Sequence, residues 1–463
     1  MKKLSISKKM LLAILILLPS TDFTLSAQDT LKLDLSKALE IALSENPTVK
    51  VANKEIEKKK YAQKGAYAPL FPQINFSADY NRTLKKQVMY LDGFGAMGGG
   101  SETTTPTEGT ENMDISKGIE VGRDNNWSYG FNASMPLVAP TLWKSLTISA
   151  IDVELAVEKA RSSKIAMVNQ VKKSFYGVLL ANDSYRVFKS SYDNSMENYQ
   201  DIKKKFDQGL VAEYDLIRAD VSVKNAIPNM LQAENALTLA KWQLKALLGM
   251  DLDLAIDCEG KLTEFENELY ADYLSTDTSL VNNSDLKQLD IQSNQLKETI
   301  KMQKFEYLPT LSLSGMYQWS AMNNNFKFSE YRWNPYSVVG VSLSIPIFSG
   351  GGKYHKIKQS QVTLEQLSLQ REDAKRNLQL ALKQYLDNMN TCIKKFNAAQ
   401  KGVSQSEKGY QIAQKRYETG SGTLLELNDA ELALTQSRLN YNQAIYDYMI
   451  AKSDLEKTLG EQK

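Results

Sequence analysis

Four stretches of the chain alternate apolar and polar residues with a period of two. From Gln73 onward, Ile74, Phe76, Ala78 and Tyr80 fall on one side, and Gln73, Asn75, Ser77, Asp79 and Asn81 on the other. From Trp127, the same split sets Trp127, Tyr129, Phe131, Ala133, Met135 and Leu137 against Ser128, Gly130, Asn132 and Ser134. Later, Leu311, Leu313, Tyr317 and Trp319 oppose Ser312, Ser314, Gln318 and Ser320, and Val339, Val341, Leu343, Ile345 and Ile347 oppose Val338, Gly340, Ser342 and Ser344. Side chains of a strand alternate faces, so the pattern predicts strands over about 73–83, 127–138, 310–321 and 333–348, each with one apolar and one polar surface. A half-buried soluble sheet would give the same alternation. A length of about ten residues, with Tyr80, Trp127, Trp319 and Trp333 near the strand ends, fits a tilted strand crossing a bilayer between aromatic girdles.

The periodicity then changes. Residues of about 141–208 and 353–419 contain no proline and little glycine, and at roughly 1.5 Å per residue either segment makes a helix on the order of 100 Å long. The second segment offers Leu378, Leu382, Tyr385, Met389, Cys392, Phe396, Ala399, Val403, Ser406, Tyr410, Ala413 and Tyr417 at alternating steps of three and four. The first offers Met167, Val171, Ser174, Val178, Ala181, Tyr185, Phe188, Tyr192, Ser195, Tyr199, Ile202 and Phe206. A mean spacing of about 3.5 residues is a coiled-coil seam.

These elements recur in the same order twice. Asn46 begins a stretch that aligns with one beginning at Asn283, placing Pro72 on Pro309 and Tyr80 on Tyr317. "GFNASMPLV" from Gly130 aligns with "GVSLSIPIF" from Gly340, and "KKFDQGLVAEYDL" from Lys204 with "KRYETGSGTLLEL" from Lys415. A period of about 210 residues is too long for a solenoid and implies two related halves. The expected division is a first repeat over 28–249, a connecting segment over 250–280 and a second repeat over 281–463.

Composition narrows the function. Lys+Arg (56) and Asp+Glu (54) nearly cancel, which gives no electrostatic case for a nucleic-acid partner. Lys2, Lys3, Lys8 and Lys9 precede an apolar run from Met10 to Leu18 and small residues near Ala27, the order of a secretory signal over 1–27. No later segment reaches the roughly 18 apolar residues of a spanning helix, so a membrane location requires strands. Four strands cannot close a barrel in lipid, which calls for oligomerisation; three copies give twelve strands. Two cysteines, Cys258 and Cys392, and one histidine, His355, leave no disulfide scaffold, multi-histidine metal site or pair of histidines within one chain, and no Cys or Ser sits in a recognisable nucleophile motif. Gly93, Gly95 and Gly98 match a dinucleotide fingerprint outside its strand–helix context, inside a glycine- and threonine-rich loop over 84–126. Neither cofactor nor catalysis is expected.

The ordered motifs "LDLSKALEIALSENPTVKVA", "YAPLFPQINFSADY", "SIPIFSGGGKYHKI" and "KRYETGSGTLLELNDAELAL" resemble the TolC-like outer-membrane efflux proteins over essentially the whole chain after the signal. The resemblance implies a homotrimer: a twelve-stranded outer-membrane β-barrel continued by a periplasmic α-helical coiled-coil barrel. Such a duct passively conducts small molecules or exported proteins delivered by an inner-membrane transporter and a periplasmic adaptor. A soluble periplasmic coiled-coil scaffold or adaptor is the alternative, but it leaves the four strands unused.

Three sets of residues are candidates for the working parts. By resemblance, Gly209, Gly420 and Gly422 mark helix-tip turns that contact the adaptor, and Glu426, Asp429 and Asp215 ring a narrow periplasmic entrance. Thr423 with Glu426 also reads as a capping box, and acids in a first helical turn favour the helix dipole, which explains Glu426 without a pore. Pro136, Pro140, Pro346, Gly350, Gly351 and Gly352 form the joint where strand gives way to long helix. There proline ends pairing because it has no N–H to donate, and the glycines let the chain swing.

Overall fold

The computed structural model describes residues 31–89, 119–270 and 279–461. The signal sequence expected over 1–27, residues 90–118 of the glycine-rich loop and 271–278 of the connecting segment lie outside the described residues. The elements run β1 (Leu31–Leu33), α1 (Leu35–Glu45), α2 (Pro47–Gly65), β2 (Gln73–Arg82), β3 (Gln87–Met89), β4 (Ile119–Val121), β5 (Asn125–Val138), α3 (Pro140–Asp207) and α4 (Glu213–Leu248). They continue with β6 (Ile256–Cys258), α5 (Ser284–Phe305), β7 (Thr310–Asn323), β8 (Asn334–Ser344), α6 (Gly352–Glu418) and α7 (Leu424–Leu459).

Packing divides the chain into two units, each taking segments from both sequence repeats: one from 1–52, 160–284 and 376–463, the other from 53–159 and 285–375. The second unit carries an antiparallel sheet in the order β2-β5-β7-β8. Its register places Phe76, Phe131 and Tyr317 in one row and Ser77, Gly130, Gln318 and Tyr336 in the adjacent row on the opposite face. The apolar and polar sets read from the alternation therefore line up across the strands, apart from Tyr336, Val338, Met316 and Met322 on the otherwise polar side and Ser337, opposite Tyr317, on the apolar side. Ile74, Phe76, Val339, Val341 and Leu343 stand exposed on the apolar side. No helix among the described residues is long and apolar enough to cross a membrane.

In the first unit the helical seams are buried. None of the twenty-four seam positions named from the spacing is exposed, and Val171, Val178, Ile202, Leu382, Met389, Cys392 and Phe396 are buried outright. β1 pairs in parallel with β6, Leu31 opposite Ile256 and Leu33 opposite Cys258. This short ladder adds Leu33, Ile256 and Cys258 to a core with Phe175, Phe396 and Tyr448. Burial pushes the Cys258 thiol up to about 11, and both cysteines are reduced packing residues.

The duplication reappears as a pair of clamps. The Asn46 amide donates to the Leu247 carbonyl in the last turn of α4 at 2.7 Å, and the Asn283 amide donates to the Thr458 carbonyl in the last turn of α7 at 2.8 Å. Each repeat is thus fastened, end to beginning, by the residue that opens it. Both helices then stop in a left-handed glycine, Gly249 at φ 72° and Gly460 at φ 79°, closing Schellman turns with N–H donation from Met250 to Lys245 and from Glu461 to Glu456. A Cβ on Gly460 would lie 2.1 Å from the Asn282 carbonyl, so the clamp requires glycine there. Replacing Asn283 with Ala leaves the buried Thr458 carbonyl without this donor and should destabilise the fold by about 1–3 kcal/mol. A lowered melting temperature of the detergent-solubilised protein, with Asn46→Ala behaving alike, is the expected result; an unchanged one would remove the clamp from this account.

Candidate functional site

The two turns that end the long helices are built alike. Gly209 and Gly420 both take φ 75°, a left-handed conformation that side-chain-bearing residues rarely adopt. Leu210 N–H donates to Lys205 O at 2.9 Å, and Ser421 N–H to Arg416 O at 2.9 Å, so both turns are Schellman closures. Gly422 has another reason to be glycine: a Cβ there would lie 3.0 Å from Arg416 Cβ and 3.2 Å from the Arg416 carbonyl carbon. The two turns pack on a small core of Ile202, Ala219 and Leu424, with Val211, Leu216 and Tyr417 against it. Lys205 Nζ lies 5.3 Å above the Tyr417 ring. Burial, with Asp215 and Asp201 nearby, raises the Tyr417 hydroxyl, keeping it neutral.

The acids divide by environment. Glu426 is held locally: Thr423 Oγ1 accepts from its N–H at 3.2 Å, its carboxylate accepts from the Thr423 N–H at 3.4 Å, and Arg416 lies 3.3 Å away. The capping box explains Glu426, and the arginine partly neutralises it. Asp215 follows Ala212, which offers no side-chain cap, and sits in the first turn of α4 where acids favour the helix dipole. Asp429 is exposed and makes no ion pair among the described residues.

At the strand-to-helix joints, Pro136 lies inside β5 opposite Ser312, where the register with β7 shifts between Pro136 and Val138. A proline at a bulge sacrifices no regular ladder bond. Pro140 is the first residue of α3, where its missing N–H costs nothing. The last strand is shorter than its alternation indicates. It stops at Ser344, opposite Thr310, and Ile345 to Phe348 run on unpaired. The ladder ends before Pro346 because β7 begins at Thr310, preceded by Pro309, which has no N–H. Gly350 and Gly351 then turn the chain at φ 61° and 80°, and Gly352 opens α6. Lys353 and Lys356 bind the end of α5: Lys353 Nζ donates to the Glu306 carbonyl and Lys356 Nζ to the Glu306 carboxylate at 2.7 Å. Bulky substitution of Gly351, as in Gly351→Val, should misdirect α6 and reduce the yield of heat-modifiable oligomer; a full yield would show that this turn is dispensable.

Sequence reading passed over one acid. Glu431 lies at seam spacing between Leu427 and Leu434 and is 5% exposed. Ser191 Oγ donates to its carboxyl at 3.2 Å and the Asn194 side chain also hydrogen-bonds it, yet burial raises it to about 7. Tyr410, held up to about 12 by burial and by Glu431 and Glu197, stays neutral beside it. The signal was present as a charge at an apolar seam position, but helical charges are ordinarily solvated. The carboxyl's ordinary value is 4.5, so the folded state retains its proton longer than the unfolded chain. Stability from this group therefore falls as pH rises from about 4.5 to about 7, by on the order of 3 kcal/mol in all. Glu431→Gln should abolish that slope, so that its melting temperature compares more favourably with the wild type's at pH 8 than at pH 5; identical pH profiles for both proteins would contradict it.

Comparison with known proteins follows this geometry. Residues 38–250 and 276–461 match the family described as outer membrane efflux protein. Outer membrane protein TolC of Vibrio cholerae is 22% identical over 361 residues, covering 76% of this chain and 81% of that one. Alkaline protease secretion protein AprF of Pseudomonas aeruginosa is 21% identical over 429 residues, covering 92% and 84%. The Campylobacter jejuni CmeC outer membrane channel superposes with a TM-score of 0.69 at 18% identity, over 93% of this chain and 86% of that one, a likeness of fold. With both repeats matched, this chain belongs to the outer membrane efflux protein family.

Proposed function

We propose that the protein is the outer-membrane exit duct of an efflux or type I secretion system, passing small molecules or exported proteins from an inner-membrane transporter and a periplasmic adaptor to the cell exterior. The observation that carries this is the four-stranded sheet. Its strands are 10 to 14 residues long, one face is apolar over most of its rows, and among the described residues β2 pairs only with β5 and β8 only with β7. Such a sheet suits lipid only if its edges meet another copy's, since an unpaired backbone edge in hydrocarbon costs several kcal/mol per group. A homotrimer satisfies that requirement with twelve strands. A soluble scaffold gives no use to exposed Ile74, Phe76, Val339 and Val341 on one sheet face. The related proteins bearing outer-membrane channel and secretion names support the same reading.

The periplasmic end of the duct would be formed by the two helix-tip turns, with Gly209, Gly420 and Gly422 setting the surface the adaptor meets. Asp429, unpaired and exposed, is the better candidate for a negative entrance ring; Glu426 and Asp215 contribute less because local roles occupy them. Three copies of Asp429 would favour cations over anions. No energy-coupling chemistry is required of the duct, which draws its direction from the transporter.

The protein should fractionate with outer membrane, migrate as a heat-modifiable trimer and conduct ions in planar bilayers. Asp429→Asn should lower the cation-to-anion permeability ratio several-fold, with a smaller change for Glu426→Gln. Extraction without detergent together with absent conductance would favour the scaffold reading.

A further inference from the structure

The apolar face of the sheet is finished at its loop end by something the strand pattern does not require. The β7–β8 connection folds back over the strands and lays its own aromatic rings on theirs. Phe326 lies 6.0 Å from Tyr80, Phe328 5.2 Å from Trp127, and Trp333 4.9 Å from Tyr129. Tyr331 stacks on Phe328 at 5.3 Å, and Trp319 on Tyr129 at 5.3 Å. The connection is tied down by its backbone and asparagines: Asp124 N–H donates to Asn324 Oδ1 at 3.1 Å, the Asn125 amide to Asn325 O at 3.4 Å, and Tyr331 OH to Asn325 O at 2.7 Å. The result is a fixed aromatic apron on the side proposed to face lipid.

Cations fringe this apron. Arg82 ends β2 on the same face as Tyr80, opposite Asn125, whose side chain accepts from Tyr80 OH at 2.8 Å. Arg123 lies two residues before Asn125, Lys327 sits between Phe326 and Phe328, and Arg332 between Tyr331 and Trp333. All four are exposed, and Arg82, Arg123 and Arg332 make no ion pair among the described residues. Two carboxylates of this end are occupied: Asp124 pairs with Lys86 at 3.1 Å, and Glu330 pairs with Lys327 at 3.4 Å while accepting from the Asn325 amide at 2.8 Å. Asp79, on the opposite face of β2, and Glu120 on β4 make no ion pair among the described residues, and the acids of 90–118 lie outside those residues. An aromatic plate at headgroup depth beside unpaired guanidinium groups fits one kind of neighbour.

We propose that the aromatic apron and its fringe of Arg82, Arg123, Lys327 and Arg332 form a docking surface for a lipid that carries phosphate on its headgroup. The rings support the acyl–headgroup boundary, and the guanidinium groups bind the phosphate oxygens in pairs. This rests on the outer-membrane reading above, because only a sheet seated in that bilayer presents this end to the outer leaflet.

The test uses the full-length protein in detergent with lipid A as probe, compared with dephosphorylated lipid A and with inorganic phosphate, read by native mass spectrometry. Lipid A should remain bound, dephosphorylated lipid A should bind about tenfold more weakly, and inorganic phosphate should not displace it. The variant Arg82→Gln/Arg123→Gln/Arg332→Gln should lose the phosphate preference, whereas the triple Arg→Lys variant should keep part of it, charge without the planar fork being a weaker phosphate ligand. Phe326→Ser/Phe328→Ser should weaken both lipids equally. Retention of the heat-modifiable oligomer verifies that each variant is assembled. Equal binding of the two lipids by wild type, or an unchanged preference in the Arg→Gln variant, overturns the inference while leaving the channel reading intact. A wild-type protein that does not fractionate with outer membrane overturns both.

Discussion

The constraint on which everything else depends is the backbone edge. A sheet of four strands has two edges, and β2 and β8 each offer a row of N–H and C=O groups that water can satisfy but hydrocarbon cannot. A chain bearing this sheet in a membrane is therefore incomplete alone. On the proposed reading, oligomerisation would follow from hydrogen bonding before it is a matter of side chains, and the apolar face would decide only which solvent the closed surface meets. Proline placement agrees with this. Pro136 sits at a register shift, and Pro346 lies beyond the last ladder bond, so the interior pairings between β5, β7 and β8 keep their donors over most of their length.

Duplication supplies the rest economically. One repeat gives a pair of strands, a long helix and a short one, and the two repeats solve their boundary problems with the same devices in corresponding places. Gly209 and Gly420 turn the tips; Gly249 and Gly460 end the short helices; Asn46 and Asn283 hold those ends to the residues that begin each repeat. Where the copies diverge, chemistry follows. Thr423 caps α7 where Ala212 leaves α4 uncapped, so Glu426 belongs to a capping box that has no counterpart around Asp215. Glu431 places a buried ionisable group against Ser191 of α3, and burial raises its carboxyl to about 7.

The joints between strand and helix are also more tightly made than a flexible glycine run suggests. Gly350 and Gly351 permit the turn, but Lys353 and Lys356 fix its outcome by binding Glu306 at the end of α5. Permissive backbone and specific charge act together: glycine makes the conformation accessible at low strain, and the ion pair selects one of the directions available.

Much of this was written in the sequence by itself. Period-two alternation located four strands and their faces, the stretches without proline located two long helices to within a residue or two, and self-alignment paired Gly209 with Gly420 and Asn46 with Asn283, because all these depend on local spacing. Tertiary structure decided what depends on partners distant in sequence. The stop of β8 at Ser344 was set by where β7 begins, the burial of Glu431 by the approach of α3, the ion pairs of Lys353 and Lys356 by the end of α5, and the aromatic apron by a loop folding back on Tyr80, Trp127 and Tyr129. A residue's periodicity fixes the face it occupies, but the energy of a charge or a ring on that face is set by what the rest of the chain brings against it.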